Sequence, residues 1–217
     1  MKNMKIRTKL LLGFISVAII AGIIGVMGIS RIFQIVDADT KLYKTATVPI
    51  GECLHITENA QLIRVYSRDL IYYNDEDRIS KNIDNLKRCQ SNLQEVEKSY
   101  ESTIIDDTDK KNLENLVESQ TEYFRQLDKL FEIAKRNDDS LAYSSLFTNV
   151  YTAFAPFSKN LETLVDYKLD VAKGIAENNT YISNVASTFM VVMIILGVLI
   201  AIILGLWIAN NIQRIIK

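Results

Sequence analysis

Two uncharged stretches, Leu10 to Ile29 and Asn178 to Gln213, bracket a segment in which apolar residues recur at alternating steps of three and four. The first stretch is 20 residues long, and the second has its apolar heart between Val185 and Ile208. Each is long enough to cross ~30 Å of hydrocarbon at ~1.5 Å of rise per residue. Both are apolar on every side, which requires an apolar solvent rather than a protein core. The pattern therefore predicts two transmembrane helices. A cleaved secretory signal is the alternative for the first, but such apolar regions span about 7–15 residues and end in a small-x-small site. Here the run is longer and leads into Met27-Gly28-Ile29-Ser30-Arg31-Ile32, so it reads as an uncleaved anchor.

Between the two runs the period is helical throughout. Ile56, Ala60, Ile63, Ser67 and Leu70 form one series, and Ile79, Ile83, Leu86, Gln90, Leu93 and Tyr100 a second, with one miss at Glu97. Leu113, Val117, Gln120, Phe124, Leu127, Phe131 and Ala134 form a third. The fourth runs through Tyr143, Phe147, Val150, Phe154, Phe157, Leu161, Leu164, Lys168, Val171, Ile175, Asn178 and Ile182 into the second apolar stretch. No glycine lies between Gly51 and Gly174, and neither strand alternation nor an Asn-Gly or Asp-Gly hairpin turn occurs. The breaks carry side-chain oxygens suited to capping free N–H groups: Asn74-Asp75-Glu76-Asp77, Asp106-Asp107-Thr108-Asp109 and Asn137-Asp138-Asp139-Ser140. A calcium loop is the other reading of such clusters, but none has the Gly and Glu layout that these loops use. Helices are predicted over 30–73, 76–103, 108–136 and 140–184. Short loops make neighbours antiparallel, hence an all-α fold: an up-down-up-down four-helix bundle between two transmembrane helices. Pro156 should kink the fourth helix at Thr152, and Pro49 should bend the first near Val48.

The charge distribution orients this arrangement. All 26 acidic residues lie between Asp37 and Glu177, whereas Lys2, Lys5, Arg7, Lys9, Arg214 and Lys217 occupy the two tips. By the positive-inside rule both termini face the cytoplasm and the acidic middle lies outside. The predicted organisation is a cytoplasmic N-terminus (1–9), a first transmembrane helix (10–29) and an extracytoplasmic sensor bundle (30–184). A second transmembrane helix (185–208) and a cytoplasmic segment (209–217) complete it, in a multi-pass protein of the cytoplasmic (inner) membrane. Trp207 fits an interfacial anchor. Small residues at packing intervals (Ala18, Gly22, Gly25; Gly197, Ala201, Gly205) suit close helix approach in lipid.

Little in the sequence supports catalysis. His55 is the single histidine, beside Leu54 and Ile56, and no phosphate loop or Cys-x-x-Cys pair occurs. No catalytic residue, metal site or cofactor is expected, and the acidity of the middle argues against nucleic acid. A hairpin centred near residue 75 sets Cys89 opposite residue 62, about nine residues or ~13 Å from Cys53 and beyond bridging distance, so two free thiols are expected. One stripe suits a ligand: Thr57, Gln61, Arg64, Arg68 and Tyr72 share a face of the first helix. Two guanidiniums with hydroxyls and an amide can grip a carboxylate or phosphate bidentately. The alternative is a solvated face. The aromatic group Tyr143, Phe147 and Tyr151 is a second place where a ring-bearing ligand could stack.

A short basic N-terminus, a span, four antiparallel helices and a second span leaving through Trp207 resemble the sensory half of methyl-accepting chemotaxis receptors. The stretches Thr47-Val48-Pro49-Ile50-Gly51 and Phe154-Ala155-Pro156-Phe157 fit that module. The resemblance covers essentially the whole chain. It implies a homodimer that binds a small molecule or an extracellular protein partner and passes a small helix displacement across the membrane. Ile208 to Ile212 would be a control helix, and Gln213 to Lys217 the opening of a HAMP domain. Kinase coupling would then run only through C-terminal domains absent here. The same bundle can feed a sensor histidine kinase or a cyclase, which is the alternative output.

Overall fold

The computed structural model describes residues 6–72 and 75–216, and among them every regular element is helical. The basic tip through Lys5, Tyr73, Asn74 and Lys217 lie outside the described residues, as do the side chains of Ile6, of Lys9 and of residues 211–216. In chain order the α-helices are α1 (Ile6–Leu42), α2 (Val48–Tyr72), α3 (Glu76–Glu101), α4 (Asp107–Ala134), α5 (Asp139–Ser145) and α6 (Tyr151–Ile216). Single π-helical turns, Tyr43–Thr47 and Leu146–Val150, join α1 to α2 and α5 to α6. The chain forms two compact units, residues 1–40 with 175–217 and residues 41–174.

The second unit is a four-helix bundle, and its helix starts are set by the acidic clusters. Asp75, Asp106 and Asp138 each accept a backbone N–H at a helix N-terminus, from Asp77 at 3.0 Å, Asp109 at 2.9 Å and Leu141 at 3.0 Å. Acidic residues in each first turn add a favourable interaction with the helix dipole. After α4 the chain turns through Asn137 at φ 53°, a left-handed conformation that Asn tolerates better than most side chains. Cross-helix bonds fix the register. Asn92 donates to Asn59 at 3.4 Å and Ser99 to Glu52, two pairs symmetric about the Asp75–Glu76 junction. Asn160 ties α6 to α4 through the Asn115 carbonyl at 2.9 Å and Ser119 at 3.0 Å. Cys53 and Cys89 are free and buried.

The predicted core faces hold on α2, where Ile56, Ala60, Ile63, Ser67 and Leu70 are all buried. They need correction elsewhere. On α4 Leu113, Gln120, Leu127, Phe131 and Ala134 are buried as predicted, but Leu116 and Tyr123 take the places of Val117, which is 39% exposed, and Phe124, which is half-buried. Both sites hold adjacent apolar residues, and a three-four count cannot choose between neighbours. On α3 Cys89 takes the core position predicted for Gln90, and Glu97 is buried although it breaks the apolar series. Tyr143 and Phe147 are exposed, and Ala142 and Leu146 are buried in their place. The cause is the Leu146–Val150 π turn, which carries one residue more than an α turn and so rotates the upstream face. That turn brings both Leu146 and Val150 inside. α6 continues through Pro156, and a π turn, Leu146–Val150, precedes it. Just before Pro49 lies the Tyr43–Thr47 π turn, closed by the Val48 N–H donating to the Tyr43 carbonyl.

In the first unit the most apolar portions of α1 and α6 are not buried within the chain. Two helices are thus long and apolar enough to cross a membrane. They meet at glycines: a Cβ on Gly13 would lie 2.5 Å from Ile208, one on Gly197 3.3 Å from Ile20, and one on Gly28 3.5 Å from Met190. Gly22, Gly25 and Gly205, which the spacing marked for packing, meet nothing within 4 Å in this chain.

The α4 register is directly testable. Leu116→Ala should lower bundle stability by about 2–5 kcal/mol, as for a buried leucine, and Val117→Ala by about 1 kcal/mol or less. Urea unfolding of the full chain in detergent would measure both; equal losses would contradict the observed face.

Candidate ligand site

Arg64 follows the buried Ile63 on α2 and so stands at the edge of the core face, where α6 packs. Its guanidinium lies 4.9 Å from the centroid of Phe154 and 5.7 Å from that of Tyr151. A cation over a ring face is held by the ring quadrupole, at about 0.5–2 kcal/mol depending on desolvation. One guanidinium nitrogen donates to Gln61 Oε1 at 2.9 Å. The Nε of Arg64 is buried and has no partner.

From α4, Tyr123 enters the same aromatic group with its side chain fully buried. It stacks on Phe157 at 5.7 Å and meets the edge of Phe154 at 5.3 Å. Its hydroxyl also lacks a partner. Burial pushes the Tyr123 pKa well up, and the nearby Arg64 charge works in the opposite direction. Two buried polar atoms, one on a permanent cation, thus lie unsatisfied beside one aromatic cluster. Each such atom costs about 1–3 kcal/mol relative to a satisfied one.

The predicted stripe divides here. Gln61 and Arg64 are brought together, Arg68 is exposed and Tyr72 is 81% exposed. The Thr57 hydroxyl is engaged, donating to the Cys53 carbonyl at 2.9 Å. Tyr143, Phe147 and Tyr151 form a ladder with centroids 4.6 and 5.1 Å apart, and Tyr151 joins it to Arg64. Sequence spacing missed Tyr123, because it turned Phe124 inward instead. His55 is exposed, 3.7 Å from Glu58, and Trp207 is 43% exposed. Among the described residues no three potential metal-binding groups cluster.

A second polar layer lies at the other end of the bundle. Lys168 of α6 is wholly buried, with its ammonium 2.6 Å from Asp109 Oδ2, 3.0 Å from the Thr103 carbonyl and 4.9 Å from the centroid of Tyr100. Tyr100 donates to Asp109 Oδ1 at 2.8 Å, and the Ile105 N–H to Oδ2 at 3.1 Å. Cys53 feels this cluster: burial pushes its thiol up to about 12, although the Lys168 charge pulls it down. Glu97 is different. Burial raises its pKa to about 7, and the Gln120 amide lowers it, yet Glu97 Oε1 and Gln120 Nε2 both lack a hydrogen-bond partner.

Residues 3–182 match the family described as a four helix bundle sensory module for signal transduction. Over 152 residues the chain is 30% identical to a candidate sensory transducer protein of Acetivibrio thermocellus. The aligned part is 70% of this chain and 27% of that protein, so the chain spans about a quarter of the length of this relative.

Glu97 gives the bundle a defined pH dependence. A carboxyl whose folded pKa is near 7 and whose unfolded value is 4.5 binds more protons when folded. Its contribution is complete below pH 4.5 and is lost as pH rises towards 7, by roughly 2–3 kcal/mol. Glu97→Gln should remove that loss, so thermal melts from pH 4.5 to 8 should flatten relative to wild type. An unchanged slope would show that Glu97 titrates normally.

Proposed function

The chain belongs to the family of four-helix-bundle sensory modules for signal transduction, the input type of methyl-accepting chemotaxis receptors, and we propose that it is the ligand-binding half of a membrane chemoreceptor. Such a module binds and relays; it performs no catalysis. The observation that carries ligand binding is the pair of buried, unpartnered atoms, Arg64 Nε and the Tyr123 hydroxyl. Both are donors at a cationic, aromatic-walled position. A small carboxylate or phosphate accepts from both at once, and a charged acceptor strengthens each bond. Gln61 holds the guanidinium in place, while Arg68 and Tyr72, one and two turns further along α2, contact the outer part of the ligand. The two apolar spans set the bundle outside the cytoplasmic membrane with both termini inside, and Trp207 anchors the second span at the interface. The receptor works as a homodimer, and displacement of α6 carries the signal.

The ligand site predicts a separable effect of two substitutions. A ligand at about 100 times its dissociation constant adds roughly 2.7 kcal/mol to stability, which a melting assay reads easily. Amino acids, organic acids and phosphates should be screened on the full chain in nanodiscs. Tyr123→Phe should leave the ligand-free melt at or above wild type, because it deletes an unsatisfied hydroxyl, and abolish the ligand shift. Arg64→Ala should abolish it too. A stabilising compound that both variants still bind normally would place the site elsewhere.

Topology and assembly can be read from one set of single-cysteine variants on a background lacking Cys53 and Cys89. Asp107→Cys should react with an impermeant maleimide in intact cells, and Lys5→Cys should not. Leu54→Cys and Val65→Cys, both on the exposed side of α2, should crosslink between copies. Outside labelling of Lys5→Cys would reverse the orientation. Absence of crosslinks at every α2 position would refute this dimer.

A further inference from the structure

At one end of the first unit, Leu10, Gly13 and Val17 of α1 and Ala201, Gly205 and Ala209 of α6 wall an apolar groove of about 300 Å³. The contact of Gly13 with Ile208, within its lining, and that of Gly197 with Ile20 hold the two helices together. A Cβ on Gly205 would meet nothing within 4 Å, so the α6 wall is open there. Ala201, Gly205 and Ala209 follow at one-turn intervals and keep that wall shallow over its length.

The charge that flanks the groove in sequence is of one sign. In residues 1–36 and 178–217 every charged side chain is basic, and Lys2, Lys5, Arg7 and Lys9 immediately precede Leu10. Arg7 is exposed one turn from the groove mouth, and Arg214 and Lys217 follow its other wall in sequence. A groove that is apolar within and cationic at its mouth complements an acyl chain bearing an anionic head.

We propose that this groove is a binding site for an anionic phospholipid, with an acyl chain between α1 and α6 along Gly205 and the phosphate at the Arg7 end. Binding is selective for headgroup charge rather than for chain identity, because no polar side chain lines the walls.

The test uses the full chain in nanodiscs of equal phosphatidylglycerol and phosphatidylcholine, released into native mass spectrometry. Wild type should retain phosphatidylglycerol in excess over phosphatidylcholine. Arg7→Gln, an exposed change without consequence for folding, should cut that excess about fivefold, the ratio that corresponds to roughly 1 kcal/mol per cation. Gly205→Leu fills the groove where space is free and should abolish retention of both lipids. Ile203→Leu, 64% exposed and outside the groove, should retain lipid as wild type does. Equal retention of the two lipids by wild type would overturn the proposal, as would full retention by Gly205→Leu. Loss of dimer in Gly205→Leu with lipid retention intact would instead assign the groove to a second copy.

Discussion

The interior of this bundle depends on how one ammonium group is kept out of water. Lys168 sits on the apolar seam of α6 with no exposed surface. An unpaired charge there would cost several kcal/mol, and the chain compensates by closing a shell around it. Asp109 supplies the counter-charge, the Thr103 carbonyl accepts a second hydrogen bond and Tyr100 presents its ring. Asp109 is itself tied to the Tyr100 hydroxyl and the Ile105 N–H. The same turn is held from outside, where Tyr167 donates to Asp106, the residue that caps α4. One buried charge thus dictates the positions of the end of α3, the connection to α4, the start of α4 and the facing turn of α6. Breaking such a pair by removing one partner costs about 3–5 kcal/mol, a large part of the roughly 5–15 kcal/mol that a domain has. Replacing both partners by apolar residues need not cost anything.

Two further polar elements interrupt the apolar column: Glu97 with Gln120, and Arg64 with Tyr123. Unlike Lys168, these are incompletely satisfied. Their donors and acceptors hold free energy that the folded state has not recovered, and any species that meets them recovers part of it. A proton does so at Glu97. A ligand of matching charge is proposed to do so at Arg64. A bundle that was apolar throughout would be more stable, but would offer neither species a reason to enter.

The parts of this structure legible in the sequence are those governed by local chemistry. The aspartates at the three breaks cap the helices they precede, because a short acceptor before an apolar run has little else to do. The α2 face and the register of the α2–α3 pair follow from a single unambiguous series and a short turn. Where two apolar residues adjoin, as at Leu116-Val117 and Tyr123-Phe124, periodicity has no means of choosing, and the packing of the facing helix decides. The π turn at 146–150 leaves no compositional mark, so Tyr143 and Phe147 were expected inside. Lys168 stood in the predicted apolar series, which was the available signal: a lysine there requires an acid on a facing helix. Asp109 was read only as part of a cap, and its second role depends on a contact 59 residues away along the chain. Arg64 shares a helical face with Arg68 on any wheel, but the aromatic rings that distinguish them come from α6.

The extra residue in the Leu146–Val150 turn has a consequence for anyone who splices this module into another. Helices are usually exchanged by counting heptads back from a shared position, on the assumption that the count is continuous. Across this turn it is not. A chimera joined upstream of Leu146 by uninterrupted counting would present its donor helix turned by about 100°, one residue's worth of rotation, with solvent-facing side chains driven inward. The same holds at Tyr43–Thr47. Junctions in this bundle are safe within the stretches that the two turns delimit, and a junction that crosses one must carry the additional residue with it.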